Sequence, residues 1–201
     1  MRKGYEMIQV NFNTVAELMT LAESQQVPVH EIALAREMHD SQRSRGDILQ
    51  EMLGNWQVMQ ESIERGIQST ERSLSGMTGG DAKKLYAYRN QGYMGEAAVS
   101  AAAYAVGISE VNAVMGRIVA CPTAGSCGIV PAALYAAKKQ KHLADADVVL
   151  ALLTAAGIGM VIDQNASIAG AAGGCQAECG TAAGMAAAAL VDIKGGTAEQ
   201  C

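Results

Sequence analysis

Residues 97–201 are nearly free of charge: only 12 of these 105 residues are Asp, Glu, Lys or Arg, whereas 23 charged residues precede them. A stretch this long and this uncharged reads as the interior of a fold. Half of all residues are apolar, yet aromatics make up only 4%. The core must therefore be built from Ala, Leu, Ile, Val and Met, and small side chains in such numbers favour closely packed helices. Alternation with period two is absent nearly everywhere, so few or no strands are expected. These features predict an all-α fold, one domain over 1–201. Within it, 1–95 forms a polar, amphipathic helical part and 96–201 an apolar core carrying the motif loops.

The polar part is organised by spacing. Asn13 or Thr14 is placed to cap a first helix bearing Val15, Leu18, Met19 and Ala22, with Glu17 available for a capping box. From 29 to about 72, Ile32, Ala35, Met38, Ile48, Met52, Leu53, Trp56, Met59, Ile63 and Ile67 fall three and four apart and make one apolar stripe, with Gly46 as its expected interruption. The Glu-, Gln- and Arg-rich opposite face reads as solvated, and Trp56 and the methionines as core or subunit packing. Residues 73–81 (SLSGMTGGD) are a loop by composition. Further helices are expected at 96–106, 130–141, 145–162 and 175–193, with a break at Gly116 and Arg117 and a turn over 122–128.

Net charge is −5, from 15 basic and 20 acidic residues, so nothing points to nucleic acid. The N-terminus lacks a basic start followed by an apolar run and a small-residue cleavage site, which suggests a cytoplasmic protein. The longest uncharged apolar run, 148–162, has 15 residues. That is below the roughly 18–20 needed to span a bilayer, so a buried core helix is expected there and no membrane span.

Two segments break the helical pattern. MGRIVACPTAGSCGIVP covers 115–131, and DQNASIAGAAGGCQAECG covers 163–180. Both hold glycines, small hydroxyl or amide side chains and cysteines, and both lead into apolar helices. Such an arrangement aims backbone N–H groups at whatever lies before the helix and suits an anion such as a carboxylate. Ordinary tight connections between small-residue helices explain the glycines equally well. All five cysteines, Cys121, Cys127, Cys175, Cys179 and Cys201, lie in the second half. In a reducing compartment, metal binding or catalysis outranks a disulfide framework, although a lone buried cysteine is most often a small hydrophobe. Cys175 and Cys179 are four apart and would share a helix face. There is no CxxC pair, and His30, His39 and His142 lie outside both segments. A zinc site using Cys121, Cys127, Cys175 and Cys179 remains open on spacing alone. Arg117 is a candidate carboxylate partner or salt-bridge residue, and Lys138, Lys139 and Lys141 a solvated helix end.

MGRIVACPTAGSCGIVPAAL and DQNASIAGAAGGCQAECGTAAGMAAAAL resemble the alpha chain of the iron–sulfur-dependent bacterial L-serine dehydratases, and NWQVMQESIERG extends the resemblance over nearly the whole chain. The resemblance implies an all-helical catalytic domain that pairs or is fused with a beta chain. It implies conversion of L-serine to pyruvate and ammonia, a step of amino-acid degradation and gluconeogenesis. It also implies a [4Fe–4S] cluster in place of pyridoxal phosphate, held by three cysteines with one iron left open. By the same resemblance Cys175 is the first cluster ligand, and Pro122, Thr123, Ala124 and Gly125 line the substrate pocket. The later cysteine pair of the family is not reached before Cys201, so the chain reads as C-terminally truncated relative to it. The remaining thiols do not match the missing ligands.

Thr123 with the Ala124 and Gly125 amides is the expected carboxylate-binding group, and Asn165 and Ser167 are expected pocket hydrogen-bond donors. The general base is not identified. Two other readings stay open: a catalytically inactive helical fragment or packing subunit, and the zinc site.

Overall fold

A computed structural model describes residues 9–201. The first eight residues of the polar part, and with them much of the N-terminus read as lacking a signal, lie outside the described residues. Nine α-helices and two single 3₁₀ turns make up the described structure, with no strand among the described residues. The all-α expectation is met.

Helix α1 (Val15–Ser24) begins as its sequence dictates. The Thr14 hydroxyl accepts the Glu17 N–H at 3.2 Å and the Glu17 carboxylate accepts the Thr14 N–H at 3.2 Å, a complete capping box. The long stripe expected over 29–72 is two helices, α2 (Val29–Ser41) and α3 (Arg45–Gly66). The break is not at Gly46, which lies in the first turn of α3. It falls at Gln42, which adopts a left-handed conformation (φ 55°), and at Ser44, whose hydroxyl accepts the Asp47 N–H at 3.2 Å. The stripe itself packs inward: Ile32, Ile48, Trp56, Met59 and Ile63 are buried. Trp56 is a core residue, and its indole N–H donates to Asp145 at 2.7 Å.

The expected loop at 73–81 ends in a short helix, α4 (Asp81–Ala87), which periodicity did not reveal. Helix α5 (Glu96–Ala113) runs one to two turns past its expected end. Helices α6 (Ile129–Lys141), α7 (Asp145–Asn165) and α9 (Cys175–Asp192) fall close to where they were expected, and one extra turn, α8 (Gly170–Gly173), precedes α9.

Helix α7 is the centre of the packing. It is long and apolar enough to cross a membrane by length and composition, yet it is a core helix here, flanked by α1, α2, α3, α6 and α9. Apolar side chains all round a helix require burial on every side, and Val148, Ala151, Leu152, Leu153, Ala155 and Val161 are buried. Small residues set its spacing: a Cβ on Gly157 would lie 3.1 Å from the Ala33 Cβ of α2. One polar tie crosses this core. Asp192 of α9 accepts the Thr154 hydroxyl of α7 at 2.9 Å and lies 2.9 Å from His30 Nδ1 of α2.

Helices α3 and α5 meet without intervening side chains. A Cβ on Gly66 would fall inside the backbone of Gly107, and one on Gly107 would lie 3.2 Å from the Gly66 Cα. Overpacking a fixed backbone contact costs about 1–3 kcal/mol. Gly66→Ala is therefore expected to lower the unfolding free energy by that amount in urea titration. Gly54→Ala, on the same helix with open space around its Cβ, should be neutral or stabilising by up to about 1 kcal/mol. Equal effects at the two positions would contradict the close crossing.

Candidate active site

The 122–128 turn is built by short-range bonds and pinned by α5. A cis Cys121–Pro122 peptide opens it, and a 3₁₀ turn covers Ala124–Ser126. The Ser126 hydroxyl lies 3.2 Å from the Thr123 hydroxyl and donates to the Cys121 carbonyl at 3.3 Å. Asn112 of α5 donates to the Ala124 carbonyl at 3.2 Å. Behind the turn, a Cβ on Gly128 would run into the Ala105 carbonyl of α5, so glycine lets the turn sit directly on the α5 backbone. Pro122 and Thr123 are half-buried, and Ala124 and Gly125 are exposed.

The second segment reaches the first through Glu178. Gly174 (φ 78°, ψ 171°) is the N-cap of α9, in a region open essentially to glycine. It sets Cys175 at the first helical position, exposed. One turn on, the Glu178 carboxylate accepts the Gly170 N–H at 3.0 Å, and its other oxygen lies against Gly125, where no Cβ would fit. A Cβ on Gly170 would also meet this carboxylate, at 2.6 Å. Glu178 is thus held between a glycine of each segment, directly beside the turn expected to take a substrate carboxylate.

The thiols separate into two environments. Cys175 Sγ and Cys179 Sγ are 3.9 Å apart on one face of α9, as their spacing predicts. The Cys179 thiol is pushed up from its ordinary value by desolvation and by its contact with Cys175. Cys121 and Cys127 are buried core residues. Burial, then the neighbouring Cys127, pushes the Cys121 thiol up to about 12, and burial pushes Cys127 up as well. The four thiols expected to share a zinc ion are not gathered. Among the described residues no group of three or more His, Cys, Asp or Glu side chains is placed to hold a metal ion. The zinc reading fails because two of its four ligands serve as small hydrophobes in the core. Cys175, exposed at a helix start, fits as one ligand of a cluster; the described residues do not assemble a three-thiolate set.

Of the remaining expected site residues, Ser167 lies against Gly173, two residues before Cys175, while Asn165 closes the end of α7. Asn165 donates its side-chain amide to the Asn13 carbonyl at 2.6 Å and the Val161 carbonyl at 2.8 Å, tying the end of α7 to the start of α1. Ser167 is exposed in the connection after α7. Arg117 is exposed and makes no ion pair among the described residues.

Beside Cys179 a cavity of about 320 Å³ opens between the turn, α4 and α5, with Gly125, Ser126, Ser109 and Glu110 in its wall. Neither Glu178 nor Glu110 was singled out from the sequence. The available signals were a carboxylate set between two cysteines and a lone acid inside an otherwise uncharged stretch of helix.

The all-helical domain thus sets an exposed Cys175 and a half-buried Cys179 at a helix start, with the glycine-rich turn joined to that helix through a clamped carboxylate. The family profile described as serine dehydratase alpha chain matches residues 24–201, and the chain belongs to that family. It is 44% identical over 191 residues to a probable L-serine dehydratase alpha chain of Bacillus subtilis, covering 94% of this chain and 63% of that one. It is 40% identical over 190 residues to the L-serine dehydratase alpha chain of Peptoniphilus asaccharolyticus, covering 94% and 65%. It is 33% identical over 202 residues to the L-serine dehydratase TdcG of Escherichia coli, covering 96% and 44%. The chain spans less than two thirds of the length of each of these relatives.

The two glycine contacts of the turn differ in what they press on. Gly125→Ala meets only the end of the flexible Glu178 side chain and should leave the unfolding midpoint nearly unchanged. It should nevertheless speed hydrogen exchange at the Gly170 amide, which loses its acceptor. Gly128→Ala meets backbone and should destabilise by about 1–3 kcal/mol. Unchanged Gly170 exchange in Gly125→Ala would contradict the clamp.

Proposed function

We propose that this chain is the alpha part of an L-serine dehydratase, a lyase converting L-serine to pyruvate and ammonia. The observation that carries the reading is the convergence of the two segments: Glu178 joins Gly170 to Gly125, with Cys175 exposed one turn before it. The family membership and the names of the relatives support it.

In this reading the substrate is L-serine, the partner is a beta-type chain or region, and the cofactor is a [4Fe–4S] cluster to which this chain contributes Cys175. Thiolates suit iron–sulfur ligation. The reaction removes the β-hydroxyl and the α-proton; the resulting enamine tautomerises to an imine, which hydrolyses to pyruvate and ammonia. Held in part by Cys175, such a cluster would supply Lewis acidity toward the β-hydroxyl, which is otherwise a poor leaving group. The residues of this chain bind and orient. The Ala124 and Gly125 N–H groups open a 3₁₀ turn, where intrahelical acceptors are lacking, and they face the substrate carboxylate. Glu178 holds the two segments in register. The cytoplasm is the expected compartment, with amino-acid degradation feeding gluconeogenesis as the role.

Anaerobic reconstitution with iron and sulfide of this chain, together with the partner chain or region that completes the enzyme, tests the reading. The expected result is visible cluster absorbance with matching iron and sulfide content, and pyruvate formed from L-serine. In Cys175→Ser both are expected to be lost while the helical circular dichroism is retained. One stoichiometric zinc, or a full cluster and normal turnover in Cys175→Ser, would overturn it.

A further inference from the structure

Glu110 is 6% exposed, and its carboxylate is only half satisfied. Oε1 accepts the Asp81 N–H at 2.8 Å and the Ala82 N–H at 3.4 Å, the first two amides of α4. Oε2 has no hydrogen-bond partner. A buried carboxylate oxygen without a donor is costly, since the water it gave up is not replaced. The neighbouring charges do not supply the donor: Lys84 pairs with Asp81 at 3.0 Å on the surface. Glu110 lies in the wall of the 320 Å³ cavity that also holds Gly125, Ser126 and Cys179. Cys179 Sγ is 3.9 Å from Cys175 Sγ. Glu110 is therefore a wall residue of the space between the turn and the Cys175–Cys179 pair, and one of its carboxylate oxygens is buried without a partner.

We propose that Glu110 binds the α-ammonium group of an amino-acid substrate in this cavity, its unpaired Oε2 turning out of the wall to accept an N–H from the ligand. An ammonium offers the charge and the donor that Oε2 lacks, and a charge-assisted bond of this kind is stronger than a neutral one. The carboxylate of the same ligand would face the turn across the cavity, so the two ends of an α-amino acid meet opposite charge preferences. The helix α4 amides hold Oε1 and anchor the carboxylate in the wall. The assignment rests on reading the site as one for an α-amino acid, and it adds the group that separates such a substrate from a hydroxy acid of the same size.

The Asp81 and Ala82 amides are bonded to the same carboxylate and serve as reporters. In amide NMR spectra of the full chain, methylammonium, L-alanine and L-serine are expected to shift both resonances saturably. Potassium ion and L-lactate are expected not to. Glu110→Gln keeps an acceptor for the two amides but turns a donor toward the cavity, and it should abolish the response. In the assembled enzyme the same variant should raise KM for L-serine about ten- to hundredfold, as loss of a charged hydrogen bond does, with a smaller change in kcat. Should Glu110→Gln fail to fold, the ligand series on the unaltered chain still decides. Silence toward all three amines, an equal response to potassium or lactate, or a response retained in Glu110→Gln would overturn the assignment. Amine-induced shifts in a protein that forms no pyruvate from L-serine would overturn the dehydratase reading and leave Glu110 standing. Pyruvate formation with silent amides would do the reverse.

Discussion

The structure depends on backbone meeting backbone along α5. On one side Gly107 lies against Gly66 of α3; on another, the Ala105 carbonyl lies against Gly128. No side chain intervenes at either place, so small changes in α5 are transmitted both to the polar half of the molecule and to the 122–128 turn. Interiors packed at crystal-like density have little room to absorb such changes. The same helix supplies Asn112 to the turn and Glu110 to the cavity wall. A glycine- and alanine-rich sequence is what this geometry demands, which is why the chain spends so few aromatics on its core.

Around that contact the site is assembled from parts with little chemistry of their own. The turn offers amides, α9 offers the exposed Cys175 beside a half-buried Cys179, and Glu178 spans the gap between them. At Gly125 and Gly170 the end of the Glu178 side chain occupies the volume that a Cβ would take, so these glycines keep the clamp in place while the fold itself tolerates a methyl there. Cys121 and Cys127 are buried in the core, with thiols pushed up by burial toward the neutral form. Neutral buried thiols are inert, which divides the five cysteines by environment as clearly as the resemblance divides them by position.

Much of the fold was legible because its signals are local. The Thr14–Glu17 capping box, the apolar stripe through Trp56, and the uncharged run that became α7 each follow from neighbouring residues. The Cys175–Cys179 pairing was legible for the same reason, since four residues make one helical turn. What was missed depends on distant partners. The break before α3 was assigned to Gly46, but a left-handed Gln42 and a Ser44 cap end α2 and start α3. Helix α4 has seven residues, and its first amides are capped by Glu110, 29 positions away. The bond from the Asn165 amide to the Asn13 carbonyl, joining the end of α7 to the start of α1, likewise has no local signal. Glu178 and Glu110 became site residues only once α5, the turn and α9 were brought together.

Central to the proposed function is Cys175 as the one thiol of this chain that would ligate a cluster. Alkylation of the assembled enzyme, read by mass spectrometry with and without iron and sulfide, tests it most directly. The account predicts that Cys175 reacts readily in the metal-free protein and is protected on reconstitution, with Cys121 and Cys127 unreactive in both states. Equal labelling of Cys175 in the two states, or protection that falls instead on another cysteine, would contradict it.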